Sequence, residues 1–155
     1  MRILYKVSGD LTGRSEVLED IKAAAKANHV AVIYGLGTQL NGVLRQRNIP
    51  FRFVDGVRET TDEGLEVALE ICDECRSRLE LEFCNHCIDL IAPVQVIDGK
   101  IVNTNADEIV LKEKDRYDEI IVYTIDSRDK KRLAKQLGDK IQIKRMPISP
   151  SPSLP

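Results

Sequence analysis

Tryptophan is absent from the 155 residues, and no sign of charge prevails, with 23 basic and 25 acidic side chains mixed throughout and a net charge of −2. A dedicated nucleic-acid binder would carry a basic face, so that class is excluded. Long hydrophobic runs are also missing. No apolar stretch approaches the roughly 20 residues that span a bilayer, so no membrane-spanning helix is expected. The opening residues Met1-Arg2-Ile3-Leu4-Tyr5-Lys6 lack the apolar core and small-residue cleavage site of a secretory leader. They read as a first strand, and a cytoplasmic location is expected. No internal repeat is present. Cysteine is confined to residues 72–87.

What remains is 43% hydrophobic, ordinary for a globular protein and enough for one core at this length. Strand-like and helix-like segments alternate. Ile3–Val7 and Val30–Tyr34 read as strands, the second as a continuous apolar run of the kind covered on both faces. Ser15–Asn28 has apolar residues at helical spacing, as does Thr38–Arg47. Phe51–Val54 reads as a short strand stopped by Asp55-Gly56. Asp62 is placed to cap a long helix reaching Leu81. Leu90–Ile97 is a strand interrupted by Pro93, and Asp98-Gly99 is a two-residue hairpin signal into Lys100–Val102. Asn105–Lys114 and Ser127–Leu137 are helical, and Glu119–Thr124 and Ile141–Lys144 are strands. The alternation predicts an α/β fold, a mostly parallel sheet with helices on both faces. It occupies residues 1–146, with an insert at 72–87 and a flexible proline- and serine-rich tail at 147–155.

Four strings at strand-to-helix junctions carry chemistry. Gly35-Leu36-Gly37 ends a buried strand and opens a helix, where backbone N–H groups suit an anion; a packing glycine is the plainer account. Lys6 stands at the carboxyl end of the first strand, the edge where open α/β sheets bind ligands, and can neutralise a phosphoryl group; a solvated strand-end lysine is the alternative. Arg58 follows a glycine turn and can hold a carboxylate or phosphate through paired hydrogen bonds, or stand in an exposed loop. Asn103, Asn105 and Asp107 surround a helix start, where Asp107 can position a lysine or cap the helix.

Gly35-Leu36-Gly37-Thr38-Gln39-Leu40-Asn41, Phe53-Val54-Asp55-Gly56-Val57-Arg58-Glu59-Thr60 and Asn103-Thr104-Asn105-Ala106-Asp107, in that order after Lys6, resemble the amino-acid kinase superfamily, and within it the acetylglutamate kinases. The resemblance covers most of residues 1–126. It implies ATP-dependent phosphoryl transfer, with Mg-ATP, to the carboxylate of a small acid such as an acylated amino acid. It assigns Lys6 to the transferring phosphoryl group and Gly35 and Gly37 to phosphate or substrate. Arg58, Asn103 and Asn105 fall to substrate, and Asp107 to orienting catalytic lysines. It also implies a homodimer. Departures are Ser8 and Leu36 at glycine positions, Glu59 at a usually hydrophobic one, and a short stretch between Arg58 and Asn103. After the last string, Lys130, Lys131, Lys135, Lys140 and Lys144 all compete for the role of second lysine. The other reading is a non-catalytic module of the same fold, binding a small anion or serving regulation or assembly.

Cys72-Asp73-Glu74-Cys75 and Cys84-Asn85-His86-Cys87 form two Cys-x-x-Cys pairs. Four thiolates at this spacing match a structural zinc knuckle, with Arg76–Phe83 turning the second pair back toward the first. Two disulfides, an iron–sulfur cluster, a redox pair and packed free thiols use the same residues. His86 is a neighbour or a substitute ligand.

Overall fold

The computed structural model describes residues 1–55, 57–98, 100–103, 106–125 and 129–147, with backbone alone at 57, 95–97 and 100–103. Along the chain run β1 (Arg2–Val7), α1 (Ser15–Ala25), β2 (His29–Tyr34), α2 (Gly37–Gln46), β3 (Phe51–Val54), β4 (Val57–Thr60) and α3 (Asp62–Glu82). They are followed by β5 (Ile88–Ile91), β6 (Val94–Ile97), β7 (Lys100–Asn103), α4 (Ala106–Glu113), β8 (Glu119–Ile125), α5 (Lys131–Leu137) and β9 (Ile141–Met146).

Five strands form one parallel sheet in the order β5-β2-β1-β8-β9. The central strands are apolar at nearly every position because both faces are covered. Ile3, Tyr5, Val7, Val30, Val32, Tyr34, Ile121 and Tyr123 pack on one face with apolar residues of α1, α2 and α3. Leu4, Ala31, Ile33, Ile120 and Val122 pack on the other with Ile109 and Val110 of α4 and Leu133 and Leu137 of α5. The chain builds outward from β1 through β2 to β5 on one side and from β8 to β9 on the other. Connections therefore leave the neighbours β1 and β8 in opposite directions, which opens a crevice at their carboxyl ends.

Two antiparallel hairpins, β3–β4 and β6–β7, stand apart from the sheet. The single strand expected at Phe51–Val54 is thus half of a hairpin. Val54 pairs with Val57 across a two-residue turn, and Asp55 takes φ +50° there, a left-handed geometry that aspartate tolerates. The strand expected over Leu90–Ile97 divides at Pro93, which has no N–H for a ladder. Residues 88–91 join the sheet and 94–97 pair with β7. The cap of α3 is Thr61 rather than Asp62: its Oγ1 accepts from the Gly64 N–H at 3.2 Å, while Asp62 and Glu63 complement the helix dipole in the first turn. The last helix starts at Lys131, later than the expected Ser127, and residues 126–128 lie outside the described residues. So does the tail beyond Pro147. No helix among the described residues is long and apolar enough to cross a membrane.

Beneath α1, the Tyr5 and Tyr123 rings stack 6.3 Å apart. The Tyr123 hydroxyl donates to Asp20, whose carboxylate also meets Lys144 Nζ at 3.3 Å. Burial, aided by Asp20 and Glu119, pushes the Tyr5 phenol up to about 12, and burial likewise raises Tyr34 and Tyr123. An unfolded tyrosine ionises near ~10. Folding therefore favours the neutral phenols, and their contribution is complete below about pH 10 and lost as pH rises through the folded values. The urea midpoint is expected to fall from about pH 10 toward pH 12, less steeply in Tyr5→Phe. An unchanged midpoint over that range contradicts this packing.

Candidate active site

The loops after β1 and β2 press against each other, and only glycine fits where they touch. A Cβ on Gly9 would lie 2.9 Å from the Gly35 carbonyl oxygen, and one on Gly35 would lie 2.9 Å from the Gly9 nitrogen. The Gly35 N–H donates to Val7 O at 2.7 Å, and Gln39 Nε2 donates to Gly9 O at 2.7 Å. Packing thus explains Gly35, the first glycine of the turn. Gly37 differs: a Cβ there meets nothing within 4 Å. It opens α2, whose first turn has no side-chain cap, and it borders the crevice. Leu36 is buried in the core of the α1–α3 face, so its side chain is committed to packing.

The crevice is a cleft of about 440 Å³. Lys6, Gly35, Gly37, Arg58 and Asp107 all line it. Asn103 ends β7, opposite the cleft-lining Val94, and Asn105 lies outside the described residues.

The inner wall is electrostatic. Lys6 extends from β1 on the same face as Leu4 and is 7% exposed. Asp107, in the first turn of α4, faces Lys6 Nζ at 3.8 Å. Lys130, immediately before α5, donates to both oxygens of the same carboxylate, at 2.9 and 3.2 Å. Lys130 is 8% exposed. Asp129 Oδ1 accepts from the Lys131 N–H at 3.0 Å, which fixes the start of α5 and holds Lys130 at the cleft. Arg132 pairs with Glu108 and ties α5 to α4. A buried charge needs compensation. Here one carboxylate faces two ammonium groups at the end of a sheet.

Of the five lysines that competed in the sequence, Lys130 is the one that meets Asp107. Its distinguishing signal is position: it falls just ahead of a helix that follows the strand next to β1.

Arg58 stands at the cleft mouth on β4, a strand rather than a loop. Its guanidinium lies over the rings of Phe53 and Phe51, 4.7 and 5.0 Å from their centroids. Nη2 donates to Gly37 O at 3.4 Å. Burial, and secondarily the Arg45 guanidinium, lowers the Arg58 pKa from its ordinary value. An anion beside it would offset that cost.

The cysteines do not meet as a knuckle. Cys72 and Cys75 are buried, within the core of the α1–α3 face, and Cys72 Sγ lies 3.4 Å from the Tyr34 hydroxyl. Cys84 and Cys87 are exposed. The spacer expected to turn the chain back is helix through Glu82, and seven helical residues carry the chain roughly 10 Å onward. Among the described residues no group of three or more His, Cys, Asp or Glu side chains is placed to hold a metal. The donor set does not fit zinc here, and all four thiols are free.

No protein-family model matches the chain. Over 114 residues it is 29% identical to an acetylglutamate kinase of Geobacillus sp. strain WCH70, an alignment covering 63% of this chain and 44% of that protein. Over 76 residues it is 34% identical to an acetylglutamate kinase of Solibacter usitatus strain Ellin6076, covering 46% and 30%. The resemblance to acetylglutamate kinases is therefore present over part of the chain, which spans less than half the length of these curated relatives. In fold it is similar to N-acetylglutamate synthase from Neisseria gonorrhoeae, solved with coenzyme A and N-acetyl-glutamate, at TM-score 0.62 and 12% identity over 80% of this chain and 41% of that one. It is also similar to smu.665 from Streptococcus mutans UA159, at TM-score 0.60 and 15% identity over 79% and 71%. The α/β architecture is thus shared with these solved structures.

The separated cysteines make a labelling prediction. Under native conditions a thiol reagent should modify Cys84 and Cys87 quickly. Cys72 and Cys75 should react only as the protein unfolds, the burial that raises the Cys75 thiol pKa adding to their protection. Four protected thiols, released together by a chelator, would show that metal gathers them after all.

Proposed function

We propose that the cleft binds a small carboxylic acid and supports phosphoryl transfer to its carboxylate, with Mg-ATP as donor. One observation carries the reading: Asp107 faces two buried ammonium groups, Lys6 and Lys130, at the carboxyl edge of the sheet. In such a transfer a carboxylate oxygen attacks the γ-phosphorus, the bond to the β-phosphate oxygen breaks, and ADP leaves with the electron pair. Charge spreads over the oxygens of the moving group, and fixed positive groups lower the barrier. Lys6 and Lys130 supply those charges, and Asp107 keeps both at one place. Arg58, its guanidinium over the rings of Phe51 and Phe53, suits the acid's remaining carboxylate. The open first turn of α2 at Gly37 adds backbone N–H groups toward negative charge. Similarity to acetylglutamate kinases makes an N-acylated acidic amino acid the first substrate to try.

A second reading follows from the length of the chain relative to those kinases. The same residues would serve a non-catalytic module that binds a small anion without turnover.

Incubation with N-acetyl-L-glutamate and Mg-ATP, with hydroxylamine trapping of the acyl phosphate, distinguishes the two. Turnover is expected, and Lys6→Ala and Lys130→Ala should each lower it on the order of 10²–10³-fold with the fold retained. Binding of the acid without any ADP release supports the second reading, and absence of both binding and turnover contradicts each.

A further inference from the structure

We infer that Asn41 is a specificity residue of this cleft, its side-chain oxygen accepting the amide N–H of an N-acylated amino acid. The inference rests on the reading above and deepens it. Asn41 lies four residues after Gly37 in α2. Residues four apart on a helix share a face, and these two line the cleft together. Arg58 lines it as well and donates to the Gly37 carbonyl at 3.4 Å. The Asn41 side chain thus stands one helical turn from the carbonyl that Arg58 holds.

Nothing in the helix calls for asparagine here. Its helix propensity is low, because its side chain competes for backbone groups. Leu40 and Leu44 beside it are buried in the core of the α1–α3 face, and Val43 packs against them. A leucine of similar size would extend that stripe. The position instead carries an amide whose Oδ1 is buried and has no hydrogen-bond partner among the described residues. A buried acceptor without a donor is costly, and the cleft is where a donor can reach it. The chemistry of the ligand selects which donor. In an N-acyl α-amino acid the α-carboxylate and the amide N–H are carried by one carbon. A carboxylate on Arg58 therefore brings the N–H to the same part of the cleft, where Asn41 presents an oxygen. A neutral acceptor suits a neutral amide. A free ammonium would enter a cleft that already holds Lys6, Lys130 and Arg58, and like charges oppose it.

Asn41→Leu removes the acceptor and keeps the size. Isothermal titration compares N-acetyl-L-glutamate with L-2-acetoxyglutarate, in which an ester oxygen replaces the amide N–H. The unmodified protein should bind the amide roughly tenfold or more tightly than the ester, which has no proton to give and leaves Oδ1 unpaired. In Asn41→Leu the two compounds should bind within about twofold of each other, and the urea midpoint without ligand should not fall. Equal binding of amide and ester by the unmodified protein, or discrimination that survives Asn41→Leu, overturns the assignment of Asn41 alone and leaves the wider reading standing. So does a lowered midpoint, which would give the amide a structural partner. If the unmodified chain binds neither compound, the reading of the cleft falls and the role of Asn41 falls with it.

Discussion

One carboxylate organises the carboxyl edge of the sheet. Asp107 takes the Lys130 ammonium on both oxygens and has Lys6 at 3.8 Å. Each lysine is nearly enclosed, and an enclosed ammonium without a counter-charge is strongly disfavoured. The two lysines come from opposite ends of the chain, one on the first strand and one before the last helix. Holding them at a single carboxylate fixes β1, α4 and α5 relative to one another. It also concentrates positive charge where a phosphoryl group would gain most from it.

The sheet topology makes this possible. Because β1 and β8 are neighbours whose next strands lie on opposite sides of the pair, a cleft opens at their carboxyl ends. On one side the glycine contact between the β1 and β2 loops brings backbone close without side chains intervening. On the other, α4 and α5 start at the same edge and deliver Asp107 and Lys130. The β3–β4 hairpin brings Arg58 to the mouth, its guanidinium over the Phe51 and Phe53 rings. Packing, turn geometry and ion pairing thus meet at one cleft.

Much of this was legible in residue order. The continuous apolar runs announced β1, β2 and β8, and the placement of Lys6, Gly35, Gly37 and Asp107 at strand-to-helix junctions pointed to one edge. Three features were not legible, for physical reasons. Arg58-Glu59-Thr60 is polar and has no alternating pattern, so the partner strand of Phe51–Val54 was concealed; hairpins off the main sheet need no buried face. Lys130 was one of several lysines in a basic stretch, and only the fold singles out the one beside Asp107. The cysteine spacing matched a metal site, yet Cys72 and Cys75 sit on the buried face of a helix that runs on through Glu82. Helical periodicity alone accounts for that pair.

The most direct test of the account is the folding free energy of Asp107→Asn from urea unfolding, alone and combined with Lys6→Met and Lys130→Met. If Asp107 compensates two enclosed ammonium groups, the single change should destabilise by at least about 2 kcal/mol, below the full cost for a deeply buried pair because Asp107 is partly exposed. The triple variant should recover most of that loss. A single variant within about 0.5 kcal/mol of the unmodified protein, or a triple variant no more stable than the single, would contradict the claim that this carboxylate holds the site together.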